Sequence, residues 1–120
     1  MKLLNRAAFA VLPKQPFVDW ANSLEQDDEG LNEQLSLAEH REEGTVYLID
    51  EVEEQADFDS ALAAHWGTIF ENELAAWDEF GDQWPQDRNQ QMFDDWFEVQ
   101  PQVMAIDLAA STLMTASLND

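Results

Sequence analysis

The sequence has no cysteine and few basic residues, and each shortage excludes a class of protein. Without cysteine the chain forms no disulfide framework, thiolate nucleophile, cysteine-ligated zinc site or iron–sulfur cluster. Five Lys and Arg residues stand against 26 Asp and Glu residues, so the formal net charge is −21. Because nucleic-acid backbones and anionic membrane surfaces are also negative, we expect the chain to bind neither of them directly.

Long apolar runs and glycine-rich loops are also scarce. The apolar run at residues 7–12 is shorter than the roughly 7–15 residues of a signal-peptide core. It is also far shorter than the roughly 20 residues of a membrane-spanning helix. We therefore expect a cytoplasmic protein with no membrane partner. The four glycines are widely spaced and form no phosphate-binding motif, and no Ser-centred nucleophile motif is present.

Apolar residues are nevertheless plentiful enough for a folded core. They make up 45% of the 120 residues, and aromatic residues make up 11%, including five Trp. Disordered chains combine high net charge with few aromatic residues, so this composition argues against disorder. A chain of this length forms one domain and buries its own core.

The periodicity of the apolar residues predicts an α+β fold. Three short apolar runs, at residues 7–12, 45–49 and 103–108, predict strands, and apolar residues at helical spacing predict helices between them. The predicted helices carry Phe17 to Leu24, Phe58 to Trp77, and Met92 to Phe97 (ending before Pro101), with a possible short one marked by Leu31, Leu35 and Ala38. The predicted order is β-α-(α)-β-α-α-β, a small three-stranded sheet packed with three to four helices, covered on both faces. Residues 1–108 form this single domain, and residues 109–120 form a flexible or loosely docked tail.

The acids are concentrated in the second part of the chain. Residues 42–120 contain 19 acids and one basic residue, Arg88, a net charge of −18, whereas residues 1–16 contain three basic residues and no acid. This asymmetry is typical either of a solvated acidic surface or of a surface that binds a basic protein. The residues we expect to bind such a partner lie on the outer faces of the predicted helices or beside a turn: Glu71, Glu73, Asp78, Glu79, Asp94, Asp95, Glu98 and Trp84.

A basic partner could itself be a nucleic-acid-binding protein. Duplex DNA carries one charge per about 1.7 Å of axis, so 21 charges correspond to about 36 Å of duplex. That length matches the diameter of a domain of this size. The composition therefore resembles that of a DNA mimic, an acidic inhibitor or regulator that occupies a DNA-binding groove.

Two other functions stay open from the sequence. Asp107 interrupts the predicted last strand, and a buried carboxylate there suits a small enzyme or a metal-binding protein; a hydrogen-bonded structural role explains it equally well. Exposed aromatic residues, Trp84 foremost, suit a structural or oligomeric protein.

We predict no catalytic, cofactor or metal site: His40 is expected to be solvated, and Arg88 to form a structural ion pair. An EF-hand-like spacing at Glu25, Asp27, Glu29 and Gly30 lacks the closing Glu, because Ser36 occupies the twelfth position.

Several segments resemble a family of small acidic proteobacterial proteins whose function is uncharacterised. The similar segments are Asn5-Arg6-Ala7-Ala8-Phe9, Pro13-Lys14-Gln15-Pro16-Phe17, Asp19-Trp20-Ala21, Val46-Tyr47-Leu48-Ile49, and Trp84-Pro85 followed by Arg88, Phe93 and Trp96-Phe97. The resemblance covers about residues 5–108. It implies a cytoplasmic bacterial protein, and it implies no activity and no catalytic residue.

Overall fold

The apolar run at residues 7–12 forms the central strand of the main sheet. The structure is a computed structural model that describes residues 1–24 and 34–118. Strand β1 spans Lys2–Leu3 and β2 spans Ala7–Pro13; β3 spans Thr45–Ile49, β4 spans Phe97–Gln102 and β5 spans Ile106–Asp107. The main sheet has the order β3-β2-β4 and is antiparallel throughout, and β1 pairs with β5 in a separate two-stranded sheet. The strands predicted at residues 7–12 and 45–49 are confirmed.

Four helices accompany the sheet in the described part of the chain. They are α1 (Gln15–Ser23), α2 (Leu37–Arg41), α3 (Gln55–Ala75) and α4 (Gln90–Trp96). Local sequence explains their starts: Pro16 occupies the first turn of α1, Ser36 and Glu39 form a capping box at α2, and the Asn89 side chain caps α4. The predicted single α+β domain, a small sheet packed with helices, is confirmed. Leu31 and the EF-hand-like residues Glu25, Asp27, Glu29 and Gly30 lie outside the described residues.

Aromatic side chains join the helices to one face of the sheet. Phe9 and Val11 of β2 are fully buried, and so are Phe70 of α3, Phe93 of α4 and Phe97 of β4. The ring centroid of Phe70 lies 5.8 Å from that of Phe93 and 5.5 Å from that of Phe97, within the range for favourable aromatic pairs. Each fully buried side chain of this size contributes about 1.5–3 kcal/mol. This aromatic cluster is therefore the main source of stability.

The other face of the sheet is open, so the prediction that helices cover both faces is wrong. Val46 and Leu48 of β3 are 62% and 49% exposed. They pair across the sheet with Ala10 and Ala8, while Gln100 and Gln102 occupy the same rows on β4. An antiparallel sheet tolerates one solvated face, because alternate side chains point to opposite sides.

The predicted last strand is wrong in position. Residues 97–102, expected to belong largely to a helix that ends before Pro101, form β4, and residues 103–108 contribute only the two-residue β5. The helical spacing of Met92, Phe93 and Trp96 continues into Phe97 and conceals the strand, although Phe97 and Val99 then alternate with polar residues. Pro101 is accommodated because β4 is an edge strand, where a missing N–H breaks no inner ladder.

The C-terminal segment carries exposed side chains. Residues 108–118 form no helix or strand and are exposed. Whether residues 109–120 are mobile stays a prediction, and residues 119 and 120 lie outside the described part. No helix in the described ranges is both long and apolar enough to cross a membrane.

Glycine substitutions test the packing of α3. Gly67 lies inside α3, and a Cβ at this position would meet no atom within 4 Å. We therefore predict that Gly67→Ala raises the free energy of unfolding by about 0.5–1 kcal/mol, because alanine has the higher helix propensity. Thermal and urea denaturation measure this change.

Gly81→Ala is the matched control for Gly67→Ala. Gly81 has a φ of 79°, which an L side chain rarely adopts, so the same substitution there should lower stability. Equal effects of the two substitutions would contradict this account of α3.

Candidate functional site

The acids predicted to bind a partner do not form one uniform set. Glu79 follows α3, Asp94 and Asp95 lie on α4, and all three are exposed. None of the three forms an ion pair within the described ranges. They are the predicted acids most available to a partner.

Three other predicted acids already have partners within the chain. Glu71 pairs with Arg88 at 3.0 Å, which confirms the predicted structural ion pair of Arg88. Glu98 pairs with Arg41 at 2.6 Å, and the Asp78 carboxylate accepts a hydrogen bond from the Gln83 backbone N–H. Hydrogen bonds from Gln100 and Arg41 lower the pKa of Glu98, so it stays ionised. These acids contribute charge to the surface while holding local structure.

Trp84 is half-buried rather than the exposed tryptophan we expected. Its indole N–H donates to the Asp78 carbonyl at 2.8 Å, and the Arg88 guanidinium lies 5.4 Å from its ring centre. The tight turn at Gly81 brings the chain back onto this ring. The exposed aromatic residues are instead Trp77, at 39%, and Phe80, at 85%. They are the aromatic side chains in this region that a partner can reach.

Asp107 has a local structural role. It lies on β5, is half-buried, and its carboxylate accepts a hydrogen bond from the Ala109 backbone N–H at 2.8 Å. This is the hydrogen-bonded structural aspartate that the sequence left open. Within residues 1–24 and 34–118, there is no cluster of three or more His, Asp or Glu residues that could hold a metal ion.

The seventh predicted acid, Glu73, lies in a cavity instead of on the surface. The volume of this cavity is about 350 Å³, which lies within the usual range for small-molecule sites. The strand β3 directs Thr45 towards this cavity, the end of α3 contributes Asn72 and Glu73, and α2 contributes His40. The full lining is Pro13, Phe17, His40, Glu43, Thr45, Asn72, Glu73, Ala76 and Trp77.

Glu73 is held by hydroxyl groups and by no cation of the described chain. The Tyr47 hydroxyl donates to Glu73 Oε2, and Asn72 Nδ2 donates to the Tyr47 oxygen at 2.8 Å. Burial raises the pKa of Glu73, and hydrogen bonds from Tyr47 and Thr45 only partly oppose that rise. Burial also raises the pKa of Tyr47, so its phenol remains a donor at neutral pH. The site thus keeps a desolvated carboxylate without a counter-charge.

His40 is buried, so the prediction that it is solvated is wrong. It is 4% exposed, its ring centre lies 4.9 Å from that of Trp77, and the Phe17 ring meets it edge-on. Its Nε2 has no hydrogen-bond partner among the residues that the structure describes. Burial lowers the pKa of His40 despite the nearby Glu43 and Glu39, so the imidazole is neutral at pH 7. The cavity therefore contains an unsatisfied polar atom.

Sequence reasoning missed most of this cavity, although some signals were present. Glu73 follows Ile69 by four residues and Phe70 by three, a spacing that places it beside the buried stripe of α3. Tyr47 lies two residues from both Thr45 and Ile49, on the strand face that packs on the core. His40 gave no signal, because its burial depends on how α2 packs between α1 and the sheet.

The pH dependence of stability tests the environment of Glu73. Since its pKa is higher in the folded than in the unfolded state, its favourable contribution is complete below its ordinary value of 4.5. That contribution is lost as the pH rises through the folded-state value. Glu73→Gln keeps a neutral side chain at every pH, so we predict a higher melting temperature than the wild type at pH 8. The difference should shrink towards pH 4.

Glu79→Gln is the control, because it removes the same charge from an exposed position. It should change the free energy of unfolding by less than about 0.5 kcal/mol. Parallel pH profiles for the two variants would contradict a desolvated Glu73.

Comparison with known proteins assigns no family to the chain. No protein-family model, curated protein or solved structure matches the chain. The resemblance to small acidic proteobacterial proteins therefore stays a prediction. Function must be inferred from the acidic surface, the exposed aromatic residues and the Glu73 cavity.

Proposed function

We propose that the chain is a non-enzymatic, cytoplasmic interaction protein whose carboxylate-rich surface binds a basic protein partner. The partner class that fits best is a nucleic-acid-binding protein, whose cationic groove this chain would occupy as a DNA mimic. The observation that carries the proposal is unneutralised charge. The described ranges contain two ion pairs, both at least partly exposed, against a net charge of −21 for the whole chain.

The charge density supports a DNA-like surface. The molecule measures 47 × 35 × 31 Å. Twenty-one duplex charges occupy about 36 Å of axis, so the chain carries its charge over a comparable length. Association with a cationic groove would be fast at low salt, because opposite potentials steer the encounter. It would weaken as salt rises, since the screening length is about 8 Å at physiological ionic strength.

Exposed aromatic residues beside exposed acids give this surface a candidate anchor. Phe80 directly follows Glu79, and Trp77 is exposed three residues earlier. Protein interfaces commonly combine a few aromatic anchors with a polar rim. This pair takes the place that the sequence had given to Trp84.

The enzyme alternative receives no support from Asp107, because its carboxylate is used by the turn at Ala109. The structural or oligomeric alternative depends on the same exposed aromatic residues. Light scattering separates it from the proposal: a self-association that persists at high salt would favour it, because apolar contacts are not screened.

Capture by the immobilised chain tests the proposal. We predict that the chain retains a basic nucleic-acid-binding protein from lysate at low salt and releases it along a salt gradient. Duplex DNA should displace the purified partner. The triple substitution Glu79→Gln, Asp94→Asn, Asp95→Asn should weaken binding about tenfold, or 1.4 kcal/mol.

A charge-matched triple variant provides the control. Glu42→Gln, Glu51→Gln and Asp59→Asn remove the same charge from exposed positions elsewhere. They should weaken binding less. The proposal fails if no basic partner is retained at low salt, if DNA does not compete, or if the two triple variants behave alike.

A further inference from the structure

The cavity around Glu73 presents carboxylates that no cation of the described residues neutralises. The Glu73 carboxylate lies inside it, and Glu43 and Asn72 lie at its exposed rim. Since Asn72 Nδ2 donates to Tyr47, the amide oxygen remains available as an acceptor. Neither glutamate forms an ion pair within the described ranges. Desolvated charges in proteins are normally paired, so this arrangement points to a cation supplied from outside.

His40 provides an independent indication of a ligand. It lines the same cavity and is only 4% exposed, and its Nε2 has no hydrogen-bond partner within the described ranges. A buried polar atom without a hydrogen bond costs free energy, so native structures satisfy nearly all of them. In the tautomer protonated on Nδ1, the neutral imidazole presents Nε2 as an acceptor, which an N–H or O–H donor of a bound group would satisfy.

Aromatic rings complete the chemistry of the cavity. Trp77 lines the cavity, is partly exposed, and is tilted by 44° to the His40 ring; the buried Phe17 lines the same cavity. Aromatic faces attract cations, and Trp does so most strongly. Carboxylates together with an aromatic face select an organic cation over a metal ion, because the ring contacts the flat surface of such a cation.

We propose that this cavity binds a guanidinium group, supplied as an arginine side chain of the basic partner. A guanidinium is planar, stacks on aromatic rings and carries five N–H donors, which suits acceptors on several sides. An ammonium group is compact, strongly hydrated and has three donors. The source of the arginine rests on the proposed function, whereas the guanidinium chemistry rests on the cavity alone.

Titration of the full chain with arginine analogues tests the chemistry. The probes are Nα-acetyl-arginine methylamide, its neutral isostere Nα-acetyl-citrulline methylamide, and Nα-acetyl-lysine methylamide. We expect saturable NMR shifts for Trp77, His40 and Glu73 with the arginine probe. The lysine probe should bind more weakly, and the citrulline probe should produce no saturable shift.

Glu73→Gln should weaken the arginine probe at least about tenfold, because the carboxylate is lost while the side-chain shape is kept. Glu51→Gln removes the same charge from an exposed position outside the cavity and should leave binding of the probe unchanged. Thr45→Val, which removes a hydroxyl that holds Glu73, is a second variant if Glu73→Gln disturbs the fold. Denaturation curves and amide spectra establish that each variant is folded.

Three results would overturn the guanidinium assignment. They are equal binding of arginine and citrulline probes, tighter binding of the lysine probe, and equal effects of Glu73→Gln and Glu51→Gln. Once a partner is purified, Glu73→Gln should weaken its binding more than Glu51→Gln does. Saturable arginine binding without that loss would overturn the partner as the source and identify a site for free guanidinium compounds. Failure to retain any partner would overturn the proposed function while leaving the titration result intact.

Discussion

Aromatic packing between β2, β4, α3 and α4 is the interaction on which the rest of this structure depends. Phe9, Phe70, Phe93 and Phe97 are essentially fully buried, and their rings contact one another or close neighbours. The folded state must overcome repulsion among carboxylates that the chain itself leaves largely unpaired. Apolar burial does not depend on charge, so a dense aromatic core stabilises a fold whose surface electrostatics oppose it.

The same packing creates the cavity. Alternation along β3 turns Thr45 and Tyr47 towards the helices, while Val46 and Leu48 face solvent on the open side. The last turn of α3 buries Leu74, which fixes the neighbouring Glu73 at the edge of the core. Helix α2 then places His40 against Phe17 and Trp77. Polar groups are thereby held in place by residues whose own positions are set by apolar burial.

The sequence predicts the parts of this fold that periodicity encodes. The central strand, β3, α1 and the long helix follow from apolar spacing, and so does the α+β class. The position of β4 does not, because Phe97 satisfies both the helical spacing from Phe93 and the strand alternation with Val99. Pairing with β2 makes this segment a strand and not a helix, and that pairing cannot be predicted from a single sequence.

The candidate site was less predictable for the same reason. Glu73 was identified as an acid, but its burial depends on the contact with Tyr47, which lies 26 residues away in sequence. His40 becomes buried through packing of a five-residue helix whose short length gives no useful periodicity. Composition describes how much charge a chain carries. It does not indicate which charge the fold removes from water.

That distinction separates the two kinds of acid in this molecule. An exposed carboxylate such as Asp94 costs the fold little, because water and salt screen it, and solubility alone is enough to explain its presence. Glu73 and His40 are different, since an apolar pair of similar size would satisfy the core without a desolvated carboxylate or an orphaned nitrogen. Groups that reduce the stability of the fold are typical of binding sites, because a bound ligand supplies the opposite charge or the hydrogen bond that the fold lacks. The cavity, rather than the total charge, is therefore where specificity for a particular partner would reside.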